Sequence, residues 1–146
     1  MEIWKHVAFS AIIVLLLHYL YGLDALLAFM VFAGGVLIDI DHYLWRMYKN
    51  KEFNPLDCYS YYKNDSPKNN YSGDNGNLHI FHTIEFLIAA VLLAFYRKPA
   101  LMFVIGLLGH YLLDFIWHIT VPKRVILNHS MISWIIKNKI RNYSVS

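Results

Sequence analysis

The sequence predicts an all-α integral membrane protein with four transmembrane helices and a C-terminal amphipathic helix. The chain has 146 residues, of which 58% are hydrophobic and only 16% are charged, whereas a soluble domain carries about 25% charged residues. The apolar residues concentrate in four runs of roughly 20 residues, the length that a helix needs to cross the hydrocarbon core. Because a backbone in lipid must satisfy its own hydrogen bonds, these runs are expected to be helices.

The four predicted spans cover residues 3–21, 23–45, 78–96 and 100–121 of a single membrane domain, 1–146. Gly22 joins the first two spans, and Pro99 marks the boundary between the last two. A polar loop, 46–77, separates the two pairs. The tail, 123–146, mixes isoleucine with lysine and arginine in a pattern typical of an amphipathic helix on the membrane surface.

The distribution of lysine and arginine predicts the orientation. With a cytoplasmic N-terminus, the inner segments hold 11 of the 13 basic residues, and the outer segments hold only Arg97 and Lys98. Such a bias favours a multi-pass protein of the cell membrane with both termini in the cytoplasm. The net charge of +3 follows from these basic loops and gives no indication of a nucleic-acid partner.

Ionisable residues inside the apolar segments are the candidate functional residues, because such groups are costly in a bilayer and usually serve a function. They fall in three segments, and the predicted orientation brings all three to the cytoplasmic side. The residues are Asp39, Asp41 and His42 at the end of the second span, His79, His82 and Glu85 at the start of the third, and His110, Asp114 and His118 in the fourth.

Helical spacing groups these side chains by face, since residues three or four apart are neighbours on a helix. His110, Asp114 and His118 form one stripe, and the residues that open the third span form another. Asp41 would point away from Asp39 in a regular helix, so either the helix end unwinds or Asp41 serves another metal or an outer shell. Glycines four residues before Asp39 and before His110 predict a close approach of the second and fourth spans.

Imidazole and carboxylate together suit zinc, with manganese or iron as alternatives, whereas magnesium and calcium prefer oxygen ligands. One or two divalent ions would neutralise the carboxylates near lipid. Glu85 and Asp41 are the predicted catalytic residues; Glu85 would handle protons or, alternatively, orient His82. His6 and His18 are expected to be histidines of the first span with no role in the site. His129 is a less favoured candidate ligand. The predicted metal ligands are Asp39, Asp41, His42, His79, His82, His110, Asp114 and His118.

These motifs resemble those of the YdjM-type, LexA-regulated family of membrane-bound metal-dependent hydrolases, over roughly residues 30 to 118. The middle motif departs from the family, which usually has an arginine next to the first histidine, and this indicates a divergent branch. The resemblance implies a hydrolase. The matching residues are Asp39, Asp41, His42, His79, His82, Gly106, His110 and Asp114.

The sequence therefore predicts a metal-dependent hydrolase that acts on an ester or phosphoester of a lipid or lipid-linked substrate at the cytoplasmic leaflet. A homo-oligomer is compatible with this prediction. One alternative is a transporter of divalent metal or protons, although the outer half of the spans offers only His18 and Asp24 for a path. A second alternative is a non-catalytic membrane protein whose metal staples the helices together.

Overall fold

The structure, a computed structural model, describes residues 3–51, 53–60, 78–120 and 130–143. All regular secondary structure within these ranges is helical, which confirms the predicted all-α class. Two short 3-10 turns, Leu37–Asp39 and Ile80–His82, interrupt the α-helices. The α-helices are α1 (Ile3–Tyr21), α2 (Ala25–Val36), α3 (Ile40–Asn50), α4 (Pro55–Ser60), α5 (Ile84–Ala94), α6 (Lys98–Thr120) and α7 (Met131–Tyr143).

Within the described part of the chain, three helical stretches are long and apolar enough to cross a membrane: Ile3–Tyr21, Ala25–Asn50 and Lys98–Trp117. This finding is consistent with a membrane protein. Helix α5 is apolar but has only 11 residues, fewer than the roughly 20 that cross the hydrocarbon, so the four-span count stays a prediction. The surface location of α7 also stays a prediction, and most of the 46–77 loop lies outside the described residues.

The chain divides into two compact units. The first unit contains Met1–Ile40 and Leu87–Pro122, and the second contains Asp41–Phe86 and Lys123–Ser146. The first unit therefore carries the apolar helices α1, α2 and α6. The second unit carries α3, α4 and α7 together with the segment that leads into α5.

Glycines set the packing of the first unit. A Cβ atom on Gly106 of α6 would overlap the carbonyl oxygen of Val31 in α2, and one on Gly34 would overlap the carbonyl oxygen of Phe103. The two backbones are therefore in direct contact, which confirms the close approach predicted for the second and fourth spans. Val31 and Leu107 are fully buried beside this crossing.

A tight turn joins α1 to α2. Gly22 has a φ of 62°, a left-handed conformation that glycine adopts without steric cost. Asp24 then caps α2, because its Oδ1 accepts a hydrogen bond of 2.8 Å from the backbone N–H of Leu27. Nδ1 of His18 lies 2.8 Å from the carbonyl oxygen of Leu23, so the side chain of this histidine contacts the backbone of the turn.

The second predicted span is not one regular helix. Helix α2 ends at Val36, where φ is −131° and ψ is −48°, and a 3-10 turn leads to α3 at Ile40. This break corresponds to the unwinding that the spacing of Asp39 and Asp41 had left open. As a result Asp39 belongs to the first unit and Asp41 to the second.

The second unit is held by contacts between its short segments. The hydroxyl of Tyr43 donates a 2.8 Å hydrogen bond to the carbonyl oxygen of Phe53, and the ring of Trp45 meets that of Trp134 edge-on at 6.1 Å. The backbone N–H of Phe81 donates to Asp41 at 3.0 Å. These contacts join α3 to the residues before α4, to α7 and to the Ile80–His82 turn.

Candidate metal centres

The first unit brings four ionisable side chains together, here called the first cluster: His6, Asp39, His110 and Asp114. Nε2 of His110 lies 3.2 Å from Oδ2 of Asp114 and 3.5 Å from Oδ1 of Asp39. Nε2 of His6 lies 3.4 Å from Oδ1 of Asp114. Both imidazole rings are buried, and they stack with centroids 3.8 Å apart. Each oxygen of Asp114 thus faces one ring of a stacked pair.

The carbonyl oxygen of Gly35 determines the tautomer of His110. It lies 2.9 Å from Nδ1 in the last turn of α2, where carbonyl groups have no intrahelical partner. Because a carbonyl oxygen can only accept, Nδ1 of His110 carries the hydrogen. Nε2 of the neutral ring then presents a lone pair to the carboxylates of Asp39 and Asp114. That arrangement requires a second proton or a cation beside Nε2.

The spacing of the donor atoms suits a cation. In a tetrahedral zinc site with bonds of about 2.0–2.1 Å, neighbouring ligand atoms lie about 3.3–3.4 Å apart. The nitrogen–oxygen separations in the first cluster are 3.2, 3.4 and 3.5 Å. Donor atoms of His6, His110 and Asp114 all lie within 4.8 Å of one another. These residues could therefore hold a metal ion, with the Gly35 carbonyl orienting His110.

His6 is the residue that the sequence analysis missed. It was expected to be an ordinary span histidine, yet its side chain is buried and lies against both His110 and Asp114. Its Nδ1 is buried with no hydrogen-bond partner among the described residues. A signal was available in the sequence, because His6 and Ser10 are four residues apart and mark a polar stripe on an apolar helix.

The second unit brings together Asp41, His42, His79 and His82, here called the second cluster. Nδ1 of His42 lies 2.9 Å from Oδ1 of Asp41, and Nδ1 of His82 lies 3.1 Å from Oδ2. The rings of His42 and His79 stack at 3.9 Å. Donor atoms of Asp41, His42 and His79 lie within 4.8 Å of one another and could also hold a metal ion.

A 3-10 turn, not a helical stripe, presents the two histidines of the third segment. The backbone N–H of His82 donates to the carbonyl oxygen of His79 at 3.0 Å, and that of Thr83 donates to the carbonyl oxygen of Ile80 at 3.2 Å. Thr83 is extended and α5 begins only at Ile84. The predicted stripe of His79, His82 and Glu85 is therefore broken at Thr83.

Glu85 contacts the start of α7 and belongs to neither cluster within the described residues. Its carboxylate accepts hydrogen bonds from the hydroxyl of Ser130 at 2.6 Å and from the backbone N–H groups of Met131 and Ile132 at 3.0 and 3.2 Å. The first N–H groups of a helix have no intrahelical partner, and they attract negative charge. Glu85 thus caps α7, while its predicted role in proton transfer stays a prediction.

Replacing Glu85 should loosen α7. In Glu85→Ala, the hydrogen bonds from Ser130 and from the first two backbone N–H groups of α7 are lost, so backbone amides of residues 131–143 should exchange with solvent several-fold faster. Hydrogen exchange followed by mass spectrometry of the protein in detergent would measure this. Asp57→Ala, which removes an exposed carboxylate of α4, is the matched control. Unchanged exchange in α7 would contradict the capping role.

The remaining candidates lie outside the described residues. The side chain of His118 is not described, although its backbone continues α6, and His129 is not described at all. Of the predicted ligands, Asp39, His110 and Asp114 thus lie together in the first unit, and Asp41, His42, His79 and His82 lie together in the second. Comparison with protein-family profiles, with curated proteins and with solved structures finds no match to this chain.

Proposed function

We propose that this protein is a membrane-embedded, metal-dependent hydrolase of an ester or phosphoester in a lipid or lipid-linked substrate at the cytoplasmic leaflet. The observation that carries the proposal is the position of Nε2 of His110 between two carboxylates, 3.2 and 3.5 Å away, while Nδ1 is engaged by a carbonyl oxygen. This pattern is the one that metal-bound histidines usually show.

A cation accounts for the first cluster better than added protons do. Protonating both His6 and His110 would put two positive rings face to face at a centroid distance of 3.8 Å, where their charges repel. A divalent ion held by Nε2 of His110 and by Asp114 would balance the carboxylates without that repulsion. When bound, such an ion polarises a carbonyl or phosphoryl oxygen and activates water. Zinc is the favoured ion for this donor set, with manganese or iron as alternatives.

The membrane location supports a lipid-like substrate. Three helical stretches among the described residues are long and apolar enough to cross a bilayer, and the distribution of lysine and arginine favours a cytoplasmic position for the motifs. A fourth span over residues 78–96 and a surface helix after Pro122 complete the proposed topology. The similarity of the motifs to the YdjM-type hydrolases supports the same reaction class.

The test uses the full chain in nanodiscs. Bound metal would be measured by mass spectrometry. Hydrolysis would be followed as release of phosphate or fatty acid, first with the metal-free protein and then after addition of zinc or manganese. We expect hydrolysis that requires the metal and is lost in Asp114→Asn, whereas His18→Gln in the α1–α2 turn retains it. If the protein instead takes up metal into vesicles, and Asp39→Ala abolishes this uptake, the protein is a transporter.

The burial of the first cluster favours a second candidate function, a structural metal. Structural zinc sites use four protein ligands, whereas catalytic sites use three and leave a position open. The first cluster offers four side chains, two of them buried histidines. If the metal only staples the helices, a chelator should lower the melting temperature of the protein by many degrees while no hydrolysis is found with any substrate tested.

A further inference from the structure

The carboxylate of Asp41 is shared between two histidines of the second cluster. Oδ1 is 2.9 Å from Nδ1 of His42, and Oδ2 is 3.1 Å from Nδ1 of His82. Oδ2 also accepts a 3.0 Å hydrogen bond from the backbone N–H of Phe81. Both oxygens of a buried aspartate are therefore engaged by nitrogen atoms at hydrogen-bonding distance.

These contacts determine which nitrogen of each ring carries the hydrogen. An ionised carboxylate can only accept, so Nδ1 of His42 and Nδ1 of His82 are both donors. The neutral rings then carry their lone pairs on Nε2. A carboxylate that holds Nδ1–H while Nε2 faces a metal is the recurrent second-shell arrangement of metal-binding histidines.

We propose that Asp41 is a positioning residue and that His42 and His82 bind a divalent cation through Nε2, as a second site in addition to that of the first cluster. The ring centroids of His42 and His82 are 5.0 Å apart, and the ring planes are nearly perpendicular at 86°. A metal about 2.0–2.1 Å from a ring nitrogen lies roughly 3 Å from that ring's centroid. A donor nitrogen of His42 and one of His82 also lie within 4.8 Å of one another, so one ion would be able to bind both rings.

His79 supports the plane of His42 in this site. Its ring stacks on that of His42 with a 3.9 Å centroid distance and an interplanar angle of 13°. Its Nδ1 is 3.9 Å from Oδ1 of Asp41, which is too long for a hydrogen bond. The shorter contacts of Asp41 with His42 and His82 thus distinguish the two oriented histidines from the stacking one.

The competing assignment makes Asp41 itself a ligand, together with His42 and His79. The two assignments differ in the tautomers of the metal-free protein, which long-range ¹H–¹⁵N NMR of ¹⁵N-histidine-labelled full chain in nanodiscs would report. We expect His42 and His82 to carry the hydrogen on Nδ1, with signals assigned through His42→Gln and His82→Gln. Hydrogen on Nε2 of either ring would overturn the proposal. This measurement uses the unmodified Asp41, so it does not depend on whether a variant of Asp41 folds.

Titration with zinc provides the second readout. The unmodified protein should bind two equivalents, and His82→Gln should bind one. Asp41→Asn should retain both equivalents but weaken the second by about 10–100-fold, the usual effect of losing an outer-shell partner. Asp57→Asn, which removes an exposed carboxylate from the same unit, should leave both affinities unchanged. Complete loss of the second equivalent in Asp41→Asn, or no change in its affinity, would overturn the positioning role.

This inference rests on the metal-binding part of the proposed function, and the titration separates their failures. If the unmodified protein binds a single equivalent that survives His82→Gln and is lost in His6→Gln, the second site fails while the first stands. If the unmodified protein binds no zinc, manganese or iron, both proposals fail.

Discussion

Replacing His110 with alanine is expected to abolish metal binding by the first cluster and to destabilise the protein. The substitution removes the nitrogen that lies 3.2 Å from Asp114 and 3.5 Å from Asp39, together with a hydrogen bond to Gly35. Two partly buried carboxylates then lose their common partner. Removing one partner of a buried hydrogen bond usually costs about 1–3 kcal/mol.

Two measurements check this expectation in the full chain in detergent. Metal content should fall by one equivalent, and the thermal unfolding transition should move to a lower temperature. The control is His18→Ala, which removes a histidine at the α1–α2 turn and should retain the metal. Full metal content in His110→Ala would show that the first cluster does not depend on this histidine, contrary to the proposed site.

Gly106→Ala is expected to destabilise the first unit despite the higher helix propensity of alanine. On an open helix surface, the change would stabilise by up to about 1 kcal/mol. Here the new Cβ would overlap the carbonyl oxygen of Val31 and lie 2.9 Å from the backbone N of Gly35. Backbone atoms cannot turn aside as a side chain can, so the helices must separate, at a typical cost of about 1–3 kcal/mol.

Gly109→Ala is the matched control in the same helix. Its Cβ would meet the ends of two side chains, Ile13 at 2.9 Å and Phe9 at 3.2 Å, and these can rotate or shift. Thermal unfolding should therefore show a much smaller change for Gly109→Ala than for Gly106→Ala. Equal effects of the two substitutions would contradict the backbone contact between α2 and α6 as the critical feature.

Local sequence patterns predicted the parts of the fold that depend on neighbours along the chain. The first span, 3–21, matches α1 (Ile3–Tyr21), because a mainly apolar run bounded by Gly22 defines its own ends. The glycines before Asp39 and His110 likewise predicted a helix crossing, since small residues at helical spacing allow close approach. Gly34, which also lies in that crossing, was not singled out.

Features that depend on distant contacts could not be predicted in this way. His6 lies near the chain start and resembles an interfacial histidine until α1 packs against α6 and places its ring on that of His110. The extended conformation of Thr83 breaks a stripe that would be regular in a continuous helix. The capping role of Glu85 depends on Ser130, 45 residues further along the chain.

The contact between the backbones of α2 and α6 has a thermodynamic consequence for the first cluster. Gly106 lies about one helical turn before His110 on α6, and Gly35 lies four residues before Asp39, across the 3-10 turn that follows α2. Because glycine has no side chain, no change of side-chain rotamer at these positions can let one helix slide along the other. Donor groups that are already held in position lose little conformational entropy when they bind an ion. Cation affinity in this unit should therefore be determined by the enthalpy of coordination and by the release of water from the ion.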